Sequence, residues 1–311
     1  LMRALIVGGN GFLGSSLAMG LRAAGCQVRV YDRTAARPDM DWSEIDYRMG
    51  GLDEPDSLAA ALDGVTLVYH LASSTVPSTS NNDPSYDVNS NLIGTLNLVA
   101  AMLARNIRRI VFFSSGGTVY GDPDSLPIKE DHPLRPISSY GVVKVAIENY
   151  LSMYARLGAL EPLILRPSNP YGPRQSTAGG QGAVGAFLGK ALAGEGIKIW
   201  GDGETIRDYI YVDDLMELAM KAGLSKQCGI FNVGSGTGHS LNQLCGYVRE
   251  LTGSPLPVEY LEKRGFDVST IILDISNARQ YFDWSPRVDF REGLDRTWLA
   301  LQPIQSEWKS T

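Results

Sequence analysis

Six consecutive residues, Ser139-Tyr140-Gly141-Val142-Val143-Lys144, carry the most suggestive chemistry in this chain. The spacing predicts a helix from about Ser139 to Leu157, with Ser138 or Ser139 as N-cap and apolar residues at helical intervals. Four residues apart on a helix, Tyr140 and Lys144 project from one face, one turn from each other. A free phenol, with a pKa of about 10, is a poor base at neutral pH. A neighbouring ammonium favours the phenolate. The pair therefore suits removal of a proton from an alcohol that is being oxidised. Tyr-x-x-x-Lys alone is equally satisfied by a solvated tyrosine and lysine, so its meaning rests on the elements around it.

Those elements begin with an apolar run, Arg3 to Val7, followed by Gly8-Gly9-Asn10-Gly11-Phe12-Leu13-Gly14 and a helical pattern from Phe12 to about Ala24. A second run, Gln27 to Tyr31, ends at Asp32. Strand, glycine turn, helix, strand and acid in this order predict a dinucleotide site. Gly8, Gly11 and Gly14 allow a tight turn and close approach of a pyrophosphate, whose charge meets the unpaired N–H groups at the helix start. A carboxylate at Asp32 accepts hydrogen bonds from the adenosine ribose and repels a 2′-phosphate, which favours NAD over NADP; Arg33 beside it pulls the other way. An oxidised nicotinamide near Tyr140 would favour its phenolate further.

The alternation continues with strands at Ile45 to Met49, Leu67 to Leu71, Arg109 to Ser115 and Leu163 to Arg166. Helices at Ser57 to Leu62, Pro84 to Asn106 and the Tyr140 segment separate them. This pattern predicts an α/β fold, a doubly wound parallel sheet of the Rossmann type with ligands at the carboxyl ends of its strands. After Pro167 the pattern breaks into prolines and the run Ala178-Gly179-Gly180-Gln181-Gly182. The division expected is a cofactor-binding domain over residues 1–170 and a smaller α/β substrate lobe over 171–311, with parts of 204–235 returning to the first.

With 311 residues, 44% hydrophobic and 20% charged, the composition is that of an ordinary globular protein. No apolar run reaches the roughly 18 residues of a membrane span. A net charge of −6, with only a short cluster at Arg105, Arg108 and Arg109, argues against a nucleic-acid partner. Cys26, Cys228 and Cys245, like His70, His132 and His239, are too scattered for a metal site. The few cysteines and an opening that reads as a strand rather than a leader predict a cytoplasmic location.

Taken together the motifs resemble the extended short-chain dehydrogenase/reductase family, in particular nucleotide-sugar epimerases of the UDP-glucose 4-epimerase type. The resemblance covers nearly the whole chain. It rests on Gly8 to Gly14 with Asp32, on Asn91-Leu92-Ile93-Gly94-Thr95, on Ser114 to Gly121 and on Tyr140 to Lys144. Leu165 to Gly172, Gly201-Asp202-Gly203, Arg207-Asp208-Tyr209 and Phe231 to Gly234 extend it. It implies NAD as cofactor, a nucleotide-sugar substrate of the UDP-hexose kind and a homodimer formed through the Pro84 and Ser139 helices. It further implies that Phe12 and Leu13 meet the pyrophosphate and Asp32 the ribose. Leu71, Ala72 and Ser73 would line the nicotinamide side, with Asn91 behind it and Leu52 and Ser168 completing the surround. Tyr140 and Lys144 would be the catalytic pair. Asn169, Arg207 and Arg264 would hold the substrate diphosphate, Trp200 would lie against the base, and Ile271 would face the sugar's 2′ substituent, excluding an N-acetyl group.

Two positions depart from the family pattern. Gly51 replaces an aspartate that would contact adenine, and Gly116 replaces a serine or threonine that would hydrogen-bond the reacting sugar oxygen. Ser115 and Thr118 are the hydroxyls that could substitute at 116, with Thr118 favoured, and restoring serine there would be expected to help. A 4,6-dehydratase is disfavoured because Gly117-Thr118 stand where that subgroup carries Asp-Glu.

Overall fold

The computed structural model describes residues 2–178, 182–263 and 268–302. Side-chain alternation in the first strand shows how the architecture is built. In β1 (Arg3–Val7), Ala4 and Ile6 enter one hydrophobic cluster while Leu5 and Val7 enter another, on the opposite face. A strand apolar on both faces belongs in a parallel sheet covered on both sides by helices. Six more strands join it: β2 (Gln27–Asp32), β3 (Ile45–Met49), β4 (Leu67–His70), β5 (Arg109–Phe113), β6 (Glu161–Pro167) and, from far along the chain, Gly229–Val233. Numbered through, the strands between are β7 (Asn169–Tyr171), β8 (Ile197–Trp200) and β9 (Ile206–Tyr211), so Gly229–Val233 is β10. The sheet order is β10-β6-β5-β4-β1-β2-β3, with every pairing parallel. The order reverses between β1 and β4, which opens a crevice at their carboxyl ends.

Helix α1 (Phe12–Ala23) follows β1, and α2 (Pro55–Ala61) follows β3. The single helix expected from Pro84 to Asn106 is instead three consecutive pieces: α3 (Pro84–Asp87), a π-helical segment Val88–Ile93, and α4 (Gly94–Leu103). Helix α5 (Ser139–Arg156) carries the Tyr140 motif, and Ser138 caps it by accepting a hydrogen bond from the Gly141 amide at 3.2 Å. After β7 come α6 (Ala183–Ala193) and then α7 (Val212–Leu224), which packs back on α1 before β10 completes the sheet edge. Residues 212–233 thus belong to the layers of the seven-stranded sheet. The remaining strands form two small sheets: β9 between β11 (Gly238–Ser240) and β13 (Thr270–Ile271), with β7 also on β9, and β8 paired with β12 (Val258–Leu261). Among the described residues no helix is long and apolar enough to cross a membrane.

Candidate active site

A cavity of about 1070 Å³ runs along the carboxyl ends of β1, β2, β4, β5 and β6. At one end Gly8, Gly11, Phe12, Leu13 and Gly14 line it. Gly14 is required there, because a Cβ would stand 2.2 Å from the Gly8 carbonyl oxygen. That contact seats the start of α1 against the turn with no side chain capping it, so first-turn N–H groups remain for an anion. Asp32 ends β2 at the same cavity. Its Oδ2 accepts from the Asn10 amide (3.0 Å) and its Oδ1 from the Thr34 amide (3.0 Å) and hydroxyl (2.8 Å), which fixes the carboxylate's direction. Arg33 reaches across the mouth to Ser74 Oγ (3.2 Å) and the Tyr86 hydroxyl (3.4 Å). The space a side chain at Gly51 would need is taken by Asp53, whose Oδ1 lies 2.4 Å from that Cβ position; Asp53 and Leu52 both line the cavity.

At the other end stand Tyr140, Lys144 and Ser115, with Leu71, Ala72, Ser73 and Asn91 between the two ends and Ser168 and Asn169 on the far wall. Lys144 Nζ donates to the Phe113 carbonyl oxygen (2.9 Å) and lies 5.4 Å from the centre of the Tyr140 ring. One continuous cleft therefore joins an anion-binding helix start and a ribose-directed carboxylate to a tyrosine–lysine pair.

A model of the NAD dependent epimerase/dehydratase family matches residues 4–234. This chain belongs to that family. The UDP-glucose 4-epimerase of Mycolicibacterium smegmatis is 36% identical over 304 residues, covering 95% of this chain and 97% of the relative. A crystal structure of a UDP-glucose 4-epimerase with UDP-glucose from Thermotoga maritima superimposes with a TM-score of 0.92 at 32% identity, covering 96% of this chain and 98% of that one. The Thermus thermophilus UDP-glucose 4-epimerase in complex with NAD gives 0.91 at 33% identity with the same coverage.

The epimerase-family cleft corrects several expectations. Burial pushes the Tyr140 phenol up to about 12, and the Asp87 carboxylate acts in the same direction. Burial brings Lys144 down to about 8 against the opposing pull of Glu148 and Asp87. Burial is the largest cause of both shifts. Thr118 does not reach the cleft. Its amide and that of Val119 turn back onto the Ser115 carbonyl, α5 packs against the Thr118 backbone, and its hydroxyl is buried without a hydrogen-bond partner among the described residues. Nor is position 116 open to serine: Gly116 runs along the end of β6, and a Cβ there would meet Arg166 O at 2.8 Å and Leu273 Cδ1 at 2.6 Å.

Three substrate residues expected on the second lobe are not brought to the cavity. Ile271 is fully buried in the hydrophobic core, because the alternation along β13 turns it inward where it pairs with β9. Arg207, on β9, donates to the carbonyls of Ile206 and Val268, both at 2.8 Å. Trp200, at the end of β8, is 42% exposed beside β12. Arg264 lies outside the described residues. Conversely, Asp87 and Gln175 are buried at or beside the cleft, and the sequence reading did not single them out. Asp87 lies within the helix expected from Pro84 to Asn106, and its partners Thr75 and Ser139 stand 12 and 52 residues away in the chain, so local spacing gives no signal of its burial.

Proposed function

We propose that the protein is an NAD-dependent 4-epimerase of UDP-linked hexoses, interconverting UDP-glucose and UDP-galactose through a transient 4-keto sugar. The observation that carries this reading is the single cleft joining the α1 start and Asp32 to Tyr140 and Lys144. The glycine turn and Asp32 would hold the pyrophosphate and adenosine ribose of NAD, with Leu71, Ala72, Ser73 and Asn91 beside its nicotinamide. When bound, NAD supplies the hydride acceptor and donor at C4 of the sugar. Tyr140 Oη takes the proton of the 4-hydroxyl and returns it, and the Lys144 ammonium offsets the charge that forms on Tyr140. Asn169 contacts the substrate from the far wall. Because the cofactor ends each cycle as it began, the protein as isolated should interconvert the two sugars with no cofactor added. The test is incubation with a panel of nucleotide sugars followed by separation of the products. Conversion that depends on added NADPH and a keto-sugar would replace this reading with a reductase.

Ser115, which lines the cleft with Tyr140, is the hydroxyl we assign to the role vacated at Gly116. Ser115→Ala should lower kcat about 10-fold or more, as loss of a hydrogen bond to the reacting oxygen does, while Thr118→Val leaves kcat within about twofold. The opposite ranking of the two variants in steady-state kinetics would return the role to Thr118.

An apolar stripe of Val142, Tyr150 and Met153 is exposed on α5 beside exposed Val88 and Ile93 on the π segment it packs against. A second copy of the chain is the occupant we assign to it, and a monomer mass in sedimentation would refute that assignment.

A further inference from the structure

Asp87 is fully buried, yet no salt bridge reaches it among the described residues. Its partners are neutral donors drawn from three separate parts of the cleft wall. Oδ1 accepts from the Thr75 hydroxyl (2.7 Å), in the loop after β4, and from Asn91 Nδ2 (2.8 Å), one π-helical turn on. Oδ2 accepts from the Ser139 hydroxyl (2.7 Å), the first residue of α5 and the neighbour of Tyr140. Asn91 in turn accepts from the Ser74 amide (2.8 Å) and donates to Thr75 Oγ1 (3.1 Å). Asp87 ends α3 and Asn91 follows four residues on in the π segment, a spacing that brings both onto one inward face. A carboxylate buried at such cost next to a proton-transfer pair has a reason to be there beyond packing.

We propose that Asp87 is a positioning residue for proton transfer, whose carboxylate ties the start of α5 to the cofactor-side loop and sets the charge balance around Tyr140 and Lys144. This rests on the reading of Tyr140 as the proton acceptor. The charged and titratable groups facing the pair are few. Glu148 lies one turn beyond Lys144 and is engaged by Arg166 of β6 at 2.6 Å. His70, at the end of β4, is held down to about 3 by burial and then by Lys144, and is neutral. Asp87 is thus the buried anion beside the pair that no cation neutralises by direct contact. Its charge opposes formation of the Tyr140 phenolate and favours the Lys144 ammonium.

The sign of the effect follows. Turnover requires Tyr140 to lose its proton and Lys144 to keep its own, so the two limbs of the pH profile belong to the coupled pair rather than to either residue alone. Asp87→Asn keeps the shape, and the Thr75 and Ser139 hydroxyls can reverse direction to meet the amide. Removing the charge should move both limbs to lower pH by about one unit. Ser139→Ala removes the tether but keeps the charge. It should lower kcat about 10-fold while both limbs stay in place, since misplacing a reacting group costs rate without changing its ionisation.

The experiment is the pH dependence of kcat and kcat/KM for the two variants with UDP-galactose, alongside Tyr140→Phe. Limbs that stay in place in folded Asp87→Asn overturn the electrostatic role. Wild-type kcat in Ser139→Ala overturns the proposal whatever Asp87→Asn does, including if it fails to fold. Normal kcat in Tyr140→Phe would instead remove the reading of Tyr140 on which both depend, so the two failures are distinguishable.

Discussion

Tyr140→Phe is expected to give a folded, cofactor-binding protein whose kcat is lower by about 10²–10⁴-fold, the usual contribution of a positioned proton-transfer group. The ring, its packing and the backbone bond from the Tyr140 amide to Ser80 Oγ (3.0 Å) all survive the change. Only the oxygen that carries the proton is lost. The deficit should therefore fall on kcat and kcat/KM alike, with KM little altered, the pattern of an interaction made only in the transition state. Steady-state kinetics with UDP-galactose and a thermal melt are sufficient to check it. A kcat near that of the unmodified enzyme would mean that another group accepts the proton, and Ser115 would then be the first candidate.

Glu148→Ala should destabilise the fold by about 3–5 kcal/mol, the cost of stripping a buried charge of its partner. Arg166 is 1% exposed and Glu148 3%. Two parallel bonds join them, Nε to Oε1 at 3.0 Å and Nη2 to Oε2 at 2.6 Å. The guanidinium also donates to the Tyr120 hydroxyl (2.9 Å) and the Glu130 carbonyl (3.0 Å), while the Ser114 hydroxyl donates to Glu148. One pair thus locks α5, the end of β6 and the loop carrying Ser115 together beneath the cleft. Alanine would leave the guanidinium buried with neutral acceptors only and release Ser114. Urea denaturation measures the loss, and a change below about 1 kcal/mol would show that the pair is not a structural anchor. Replacing both partners by apolar residues should cost less than Glu148→Ala alone, because no charge is then left unpaired.

The sequence by itself determined the layered fold and the two ends of the cleft. β1, β2, β3 and β5 all begin where the hydrophobic runs begin, and α1 begins at Phe12 after the glycine turn, because these signals are local. Gly14, Asp32, Tyr140 and Lys144 were legible for the same reason: each sits at a fixed offset from the end of a strand or the start of a helix, where backbone geometry alone fixes its direction. Tertiary structure decided what local spacing cannot carry. A helical period of apolar residues could not reveal that residues 88–93 widen into a π segment, or that Asp87 faces inward to meet Thr75 and Ser139 from distant parts of the chain. Alignment by spacing sent Ile271 to the sugar, whereas its pairing with β9 buries it in the core. Thr118 is the hydroxyl favoured from the sequence, whereas the turn back onto the Ser115 carbonyl leaves Ser115 lining the cleft. Four-residue spacing speaks only to the neighbouring charge, whereas burial of both side chains, which spacing cannot carry, raises Tyr140 and lowers Lys144.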